Sequence, residues 1–129
     1  MSILKRRLAV EVVAFGFKHG VPPDLDLLFD VRFLRNPNWQ PELEALTGND
    51  PAVAAFIAAD PATSAFLERL FALLDFLVPL YANERAELKI GIGCTGGRHR
   101  SVYIARRLCS HLESADGLHV RLMTRDTAK

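Results

Sequence analysis

A short apolar strand that breaks into a glycine bend and then into an amphipathic helix constrains this 129-residue chain more than any other feature. Leu88-Lys89-Ile90-Gly91-Ile92-Gly93 alternates large apolar residues with lysine or glycine, as a buried strand does. Cys94-Thr95-Gly96-Gly97-Arg98-His99-Arg100-Ser101 follows, where two adjacent glycines permit a concave turn. Val102, Ala105, Leu108, Cys109 and Leu112 then mark the buried stripe of a helix, with Arg106, Arg107 and His111 facing elsewhere. Leu118, Val120 and Leu122 alternate again as a strand. Strand, helix, strand of this kind is a βαβ unit, and open parallel sheets take their ligands at the carboxyl ends of the strands.

The rest of the chain supplies matching parts. Leu8, Val10 and Val12 read as a strand that ends in the loop Phe15–Gly20, and residues 27–34 read as a second strand closed by Asn36-Pro37-Asn38, with Trp39 expected to plug that loop onto the body. Asp50-Pro51 and Asp60-Pro61 each place a capping carboxylate before a proline, the start signature of two successive helices. The second helix is long, with Pro79 expected to bend or end its last turn, and any apolar width beyond what its core face needs would serve a subunit contact in a homo-oligomer. The expectation is an α/β fold, Rossmann-like, with a mainly parallel sheet of about four strands flanked by helices. A hydrophobic content of 50% in this length suits one domain over residues 1–129, with a polar tail at about 124–129 expected to fray.

Composition excludes several function classes. A formal net charge of +1 creates no bulk field for nucleic acid or membrane, so anion recognition has to be local. Glu68, Arg69 and Asp75 interrupt the most apolar stretch, which therefore falls short of the roughly 20 residues a bilayer span needs. Cys94, His99, Cys109 and His111 lack the paired short spacings of a zinc site, and no glycine precedes lysine as a P-loop requires, so neither metal nor other cofactor is expected. Two cysteines and no export leader point to a cytoplasmic location.

The bend is where the chemistry concentrates. Backbone N–H groups of Thr95, Gly96 and Gly97 at a helix start suit a phosphate, and Arg98, His99 and Arg100 add cationic donors without one acidic neighbour; Ser101 caps the helix or bonds the anion. Lys18, His19, Asn36 and Asn38 also follow strands, and together with Arg32, which lies on the second strand, are expected to line the same pocket. Arg32 has a second option, pairing with Asp30 on its own strand.

Cys94-x-x-Gly97-x-x-Arg100-Ser101 resembles the signature loop of cysteine-dependent phosphatases. That resemblance implies Cys94 as a thiolate nucleophile and Arg100 as the phosphate grip. Gly93 stands where that family has histidine, and Asp24, Asp26, Asp30 and Asp60 are unranked candidates for the leaving-group acid.

Longer blocks carry a second resemblance. Phe15–Pro22, Phe29–Trp39, Thr47-Gly48 and Gly91–Ala105 closely resemble, in order and spacing, the C-terminal domain of the RapZ (YvcJ-like, RNase adapter) family, over about residues 7–113. In that family the domain follows an N-terminal P-loop nucleotide-binding domain, which has no counterpart in this chain. The resemblance implies a non-enzymatic sensor or adaptor that binds an amino-sugar phosphate, with RNA and a regulatory protein as further partners. Thr95, Gly96, Gly97, His99 and Arg100 match the family's phosphate-binding turn. Asn38 stands where the family's sugar-phosphate contact is a histidine; asparagine still bonds a hydroxyl, but it cannot become a cation. Asp126 dilutes Arg121, Arg125 and Lys129, so the tail would neutralise few RNA phosphates.

Overall fold

The computed structural model describes residues 7–129. Strands β1 (Leu8–Gly16), β2 (Leu27–Asp30), β3 (Glu87–Cys94) and β4 (Leu118–Thr124) form one wholly parallel sheet in the order β2-β3-β1-β4. Helices α1 (Pro51–Ala58), α2 (Pro61–Glu84) and α3 (Arg100–Glu113) complete the expected α/β arrangement. Single 3-10 turns at Phe17–His19 and Pro37–Trp39 follow β1 and β2.

Side chains alternate across a strand, so each face of the sheet has its own covering. Leu8, Val10, Val12 and Ala14 of β1 share the buried core with Leu88, Ile90 and Ile92 of β3 and with Val102, Ala105, Leu108 and Leu112 of α3. Helix α3 lies on β1, β3 and β4, while α1 and α2 pack against it. The other face is covered by the chain between β1 and β2. There Leu25 lies against Gly91, and the Phe15 and Phe17 rings lie against Gly93, where a Cβ would come within 2.7 Å of each ring. Any side chain at position 93 would collide with this aromatic pair, which explains why the histidine of the phosphatase loop has no room here.

Four local expectations are corrected. Strand β2 stops at Asp30 rather than running to Leu34, because Arg100 Nη1 takes the carbonyls of Arg32 and Leu34 at 2.8 and 2.9 Å and draws that segment out of the ladder. Trp39 does not plug its loop; it is 73% exposed, and the 3-10 turn buries Pro37 instead. Pro79 does not end α2, which continues to Glu84. The tail is not frayed. Asp126 is completely buried, and its carboxylate accepts from Gly16 N–H at 2.7 Å and pairs with Arg125 and Lys129, each at 2.9 Å.

The two Asp-Pro starts behave differently. Asp60 Oδ1 accepts from Ala62 N–H at 3.0 Å and caps α2, whereas the Asp50 carboxylate accepts from Thr47 N–H at 2.7 Å. Helix α1 therefore begins on the preset φ of Pro51 without a side-chain cap. Among the described residues no helix is long and apolar enough to cross a membrane.

Candidate functional site

All four strands point their carboxyl ends toward one cavity of about 470 Å³. Lys18 and His19 reach it from the turn after β1, Asn36 and Asn38 from the turn after β2, residues 94–100 from the bend after β3, and Lys129 from the tail after β4. The expected convergence of Lys18, Asn36 and the bend is thus observed. A wider groove of about 1020 Å³ lies over the first halves of the strands, but its charges answer one another through Arg85–Asp26 and Arg121–Glu11 pairs at 2.7 and 3.0 Å.

The bend is held in shape by close backbone packing. Gly97 has φ +80°, and a Cβ there would stand 2.4 Å from Gly16 N and 2.7 Å from the Phe15 carbonyl carbon, so only glycine fits. Gly48 N–H donates to the Arg98 carbonyl at 2.7 Å, and Lys18 N–H donates to the Thr95 carbonyl at 3.2 Å. The Thr95 and Arg98 carbonyls of the bend are therefore bonded outward to its supports. Its N–H groups are not: among the described residues, those of Thr95, Gly96, Gly97, Arg98 and His99 have no acceptor. They stand at the N-terminus of α3, where unsatisfied amides carry partial positive charge.

The side chains expected at the site divide into two groups. Lys18, His19, Asn36, Asn38, Thr95, Arg98, His99 and Arg100 line the cavity together with Gly96 and Gly97. Arg32 and Ser101 do not. Arg32 forms a bidentate pair with Asp30, its Nη2 at 2.7 Å, and stacks over the Phe17 ring at 4.0 Å; the Arg32 hydrogen bond holds the Asp30 carboxyl below the usual range. Ser101 is fully buried, and its hydroxyl receives the Cys94 thiol at 3.2 Å.

The three basic residues of the bend are also less alike than their sequence suggests. Arg98 Nη2 donates to the Ala45 carbonyl at 2.8 Å, fastening the loop before α1. Arg100 is almost wholly buried; besides the two carbonyls after β2, it donates to Thr95 Oγ1 at 3.3 Å. Burial lowers its pKa while Cys94 and Asp30 oppose that fall, and an arginine remains charged throughout. Burial also pulls His99 below its ordinary value, carbonyls at Leu46, Leu43 and Glu44 opposing and Arg98 assisting, so near neutral pH it is a neutral donor rather than a cation. The buried Nε atoms of Arg98 and Arg100 and Nε2 of His99 have no partner among the described residues. Burial pushes the Cys109 thiol on α3 up to about 11, which leaves it inert.

Glu44, Ala45 and Lys129 also line the cavity, and none was expected there from the sequence. Lys129 arrives because Asp126 ties the tail to Gly16. Fold and site together define a parallel α/β domain with a donor-rich bend at its carboxyl edge. The family model described as the RapZ C-terminal domain matches residues 8–128, and the chain belongs to that family.

Similar proteins agree with this assignment. A nucleotide-binding protein of Rubrobacter xylanophilus is 54% identical over 110 residues, covering 84% of this chain and 36% of its own length. One from Rhodospirillum rubrum is 53% identical over 116 residues, covering 88% and 36%, and one from Anaeromyxobacter dehalogenans is 51% identical over 124 residues, covering 95% and 42%. The chain thus spans about two-fifths of the length of the curated relatives it matches.

Proposed function

We propose that this domain binds the phosphate end of a small phosphorylated metabolite, without turnover, and acts as a sensor or adaptor. The single observation that carries the reading is the run of unbonded amides from Thr95 to His99 on the wall of a cavity at a helix start. A phosphate supplies several charged acceptors at once, matching consecutive N–H donors better than any neutral group does. Lys18, Asn36 and Asn38 would orient the remainder of the ligand, for which an amino-sugar phosphate is the class the family suggests. Membership of the RapZ family supports a regulatory or adaptor role; RNA or a regulatory protein is the partner class proposed for it. The relatives' naming as nucleotide-binding proteins makes nucleotides the second ligand class to screen.

Amide NMR during titration with inorganic phosphate and then a hexosamine phosphate tests this directly. Shifts concentrated at Thr95–Ser101 are expected, and unmoved amides there would end the proposal. In calorimetry Arg100→Ala should weaken binding by about 1.5–3 kcal/mol, the range for a charge-assisted hydrogen bond. Because Arg100 also fastens the segment after β2, Lys18→Ala, an exposed position, serves as the variant that leaves the fold intact.

The phosphatase reading has one observation in its favour, Cys94 on the cavity wall beside Arg100. Against it, the Cys94 residue is 2% exposed and its thiol donates to Ser101, and none of Asp24, Asp26, Asp30 and Asp60 lines the cavity. Release of phosphate from an aryl phosphate by the parent protein, abolished in Cys94→Ser, would favour that reading over binding alone.

A further inference from the structure

The two cations of the tail are engaged differently. Both pair with the buried Asp126 carboxylate, Arg125 through Nη2 and Lys129 through Nζ, each at 2.9 Å. Arg125 is fully committed: its Nε also donates to Asp126 Oδ1 at 3.0 Å, its Nη2 also bonds the Gly20 carbonyl, and the guanidinium lies over the Phe15 ring. Lys129 gives Asp126 one of the three donors that an ammonium carries. Its side chain is 48% exposed, and of the two cations only Lys129 lines the cavity. Asp126 in turn lies against the bend, since a Cβ on Gly97 would stand 3.0 Å from the Asp126 Cβ. The Lys129 ammonium is thus held close to the unbonded amides with donors to spare. Were it to turn toward a ligand, Asp126 would keep Arg125 and the Gly16 N–H at 2.7 Å, so no buried charge would be left without a partner. The arginines of the bend have no such freedom, because Arg98 is fastened to the Ala45 carbonyl and Arg100 to those of Arg32 and Leu34.

We propose that Lys129 is a phosphate-binding residue carried into the site by the tail, an inference that rests on the phosphate reading above. Its ammonium bonds the phosphate while Asp126 holds it beside the bend. Lysine suits this part, being a point charge on a flexible stem that can serve two acceptors at once. Filling the cavity then pins the segment from Thr124 to Lys129, so that the state of the ligand site is written into the order of the tail.

Calorimetry of the 129-residue chain with inorganic phosphate tests this. Lys129→Ala should weaken binding at least about tenfold, the lower end of what a charge-assisted hydrogen bond contributes. Lys129→Arg, which keeps the charge, should bind more tightly than Lys129→Gln. Arg121→Ala removes an equal charge beside Glu11, in the groove over the first halves of the strands, and should stay within about twofold of the parent. A readout at the tail separates ligation from mere support: amide hydrogen exchange over residues 127–129 should slow about tenfold at saturating phosphate in the parent, and not in Lys129→Ala. If phosphate moves no amide between Thr95 and His99, the underlying phosphate reading fails. If those amides move, the role of Lys129 alone is overturned by any of three results: Lys129→Ala or Lys129→Gln binding as tightly as the parent, Arg121→Ala losing as much affinity as Lys129→Ala, or a tail whose exchange phosphate does not slow.

Discussion

Two strands of the same parallel sheet, β3 and β4 on either side of β1, end in opposite ways. After β3 the chain bends through Thr95–His99 with the carbonyls of Thr95 and Arg98 bonded to the surroundings and its amides bonded to nothing among the described residues. After β4 the chain turns back and closes on itself, with Asp126 completely buried and accepting from Gly16, Arg125 and Lys129. One exit has donors awaiting an acceptor; the other has a carboxylate already surrounded by donors. The two meet at Gly16, whose N–H points to Asp126 and whose backbone touches Gly97. The exit that carries the candidate site is therefore braced by a packed one, and side-chain chemistry alone would not separate them, since both carry basic residues.

The largest effect should come where the two exits touch. Gly97→Ala adds a Cβ 2.4 Å from Gly16 N at a φ of +80°, combining left-handed strain with a backbone collision. A loss of about 3–5 kcal/mol in urea unfolding is expected, together with loss of phosphate binding. A variant of near-parent stability would mean that the exits do not brace each other.

Asp126→Asn should come next, at about 3 kcal/mol, the cost of breaking a buried ion pair from one side. Burial pushes the Asp126 pKa up, but the bonds from Arg125, Gly16 and Lys129 outweigh it and hold the carboxyl well below the usual range. A depressed carboxylate contributes its full stability above its unfolded value of about 3.9 and loses it as pH falls toward the folded value. The parent protein should therefore weaken progressively below about pH 4, and the asparagine variant should lack that part of its acid sensitivity. Identical acid profiles would show that the tail is not held by this charge.

The smallest effect belongs to Arg32→Ala, which removes an exposed pair with Asp30. A change under about 1 kcal/mol is expected, with phosphate affinity unaltered. A clear loss of affinity would bring Arg32 into the site and show that its pairing with Asp30 yields to the ligand.

The position of the bend was readable because it depends on local pattern: an alternating apolar strand, two glycines, and a helix stripe. The parallel βαβ unit and the helix starts at Pro51 and Pro61 follow from the same short-range rules. The end of β2 was not readable, since Arg32 and Leu34 leave the sheet for a guanidinium 68 and 66 residues away in sequence. Trp39 was misjudged because burial favours large apolar residues only where a surface is at hand to receive them.

Sequence by itself determined that a concave, donor-rich turn joins a buried strand to a helix, because glycine content and apolar periodicity act over a few residues. Only the tertiary structure decided which donors remain available. Arg98 and Arg100 are turned to distant carbonyls, Ser101 is sealed beneath Cys94, His99 is neutral, and Lys129 is delivered to the cavity by a buried aspartate. Those outcomes depend on which groups meet across the sheet edge and on how much water is excluded there, and neither quantity is local to any stretch of chain.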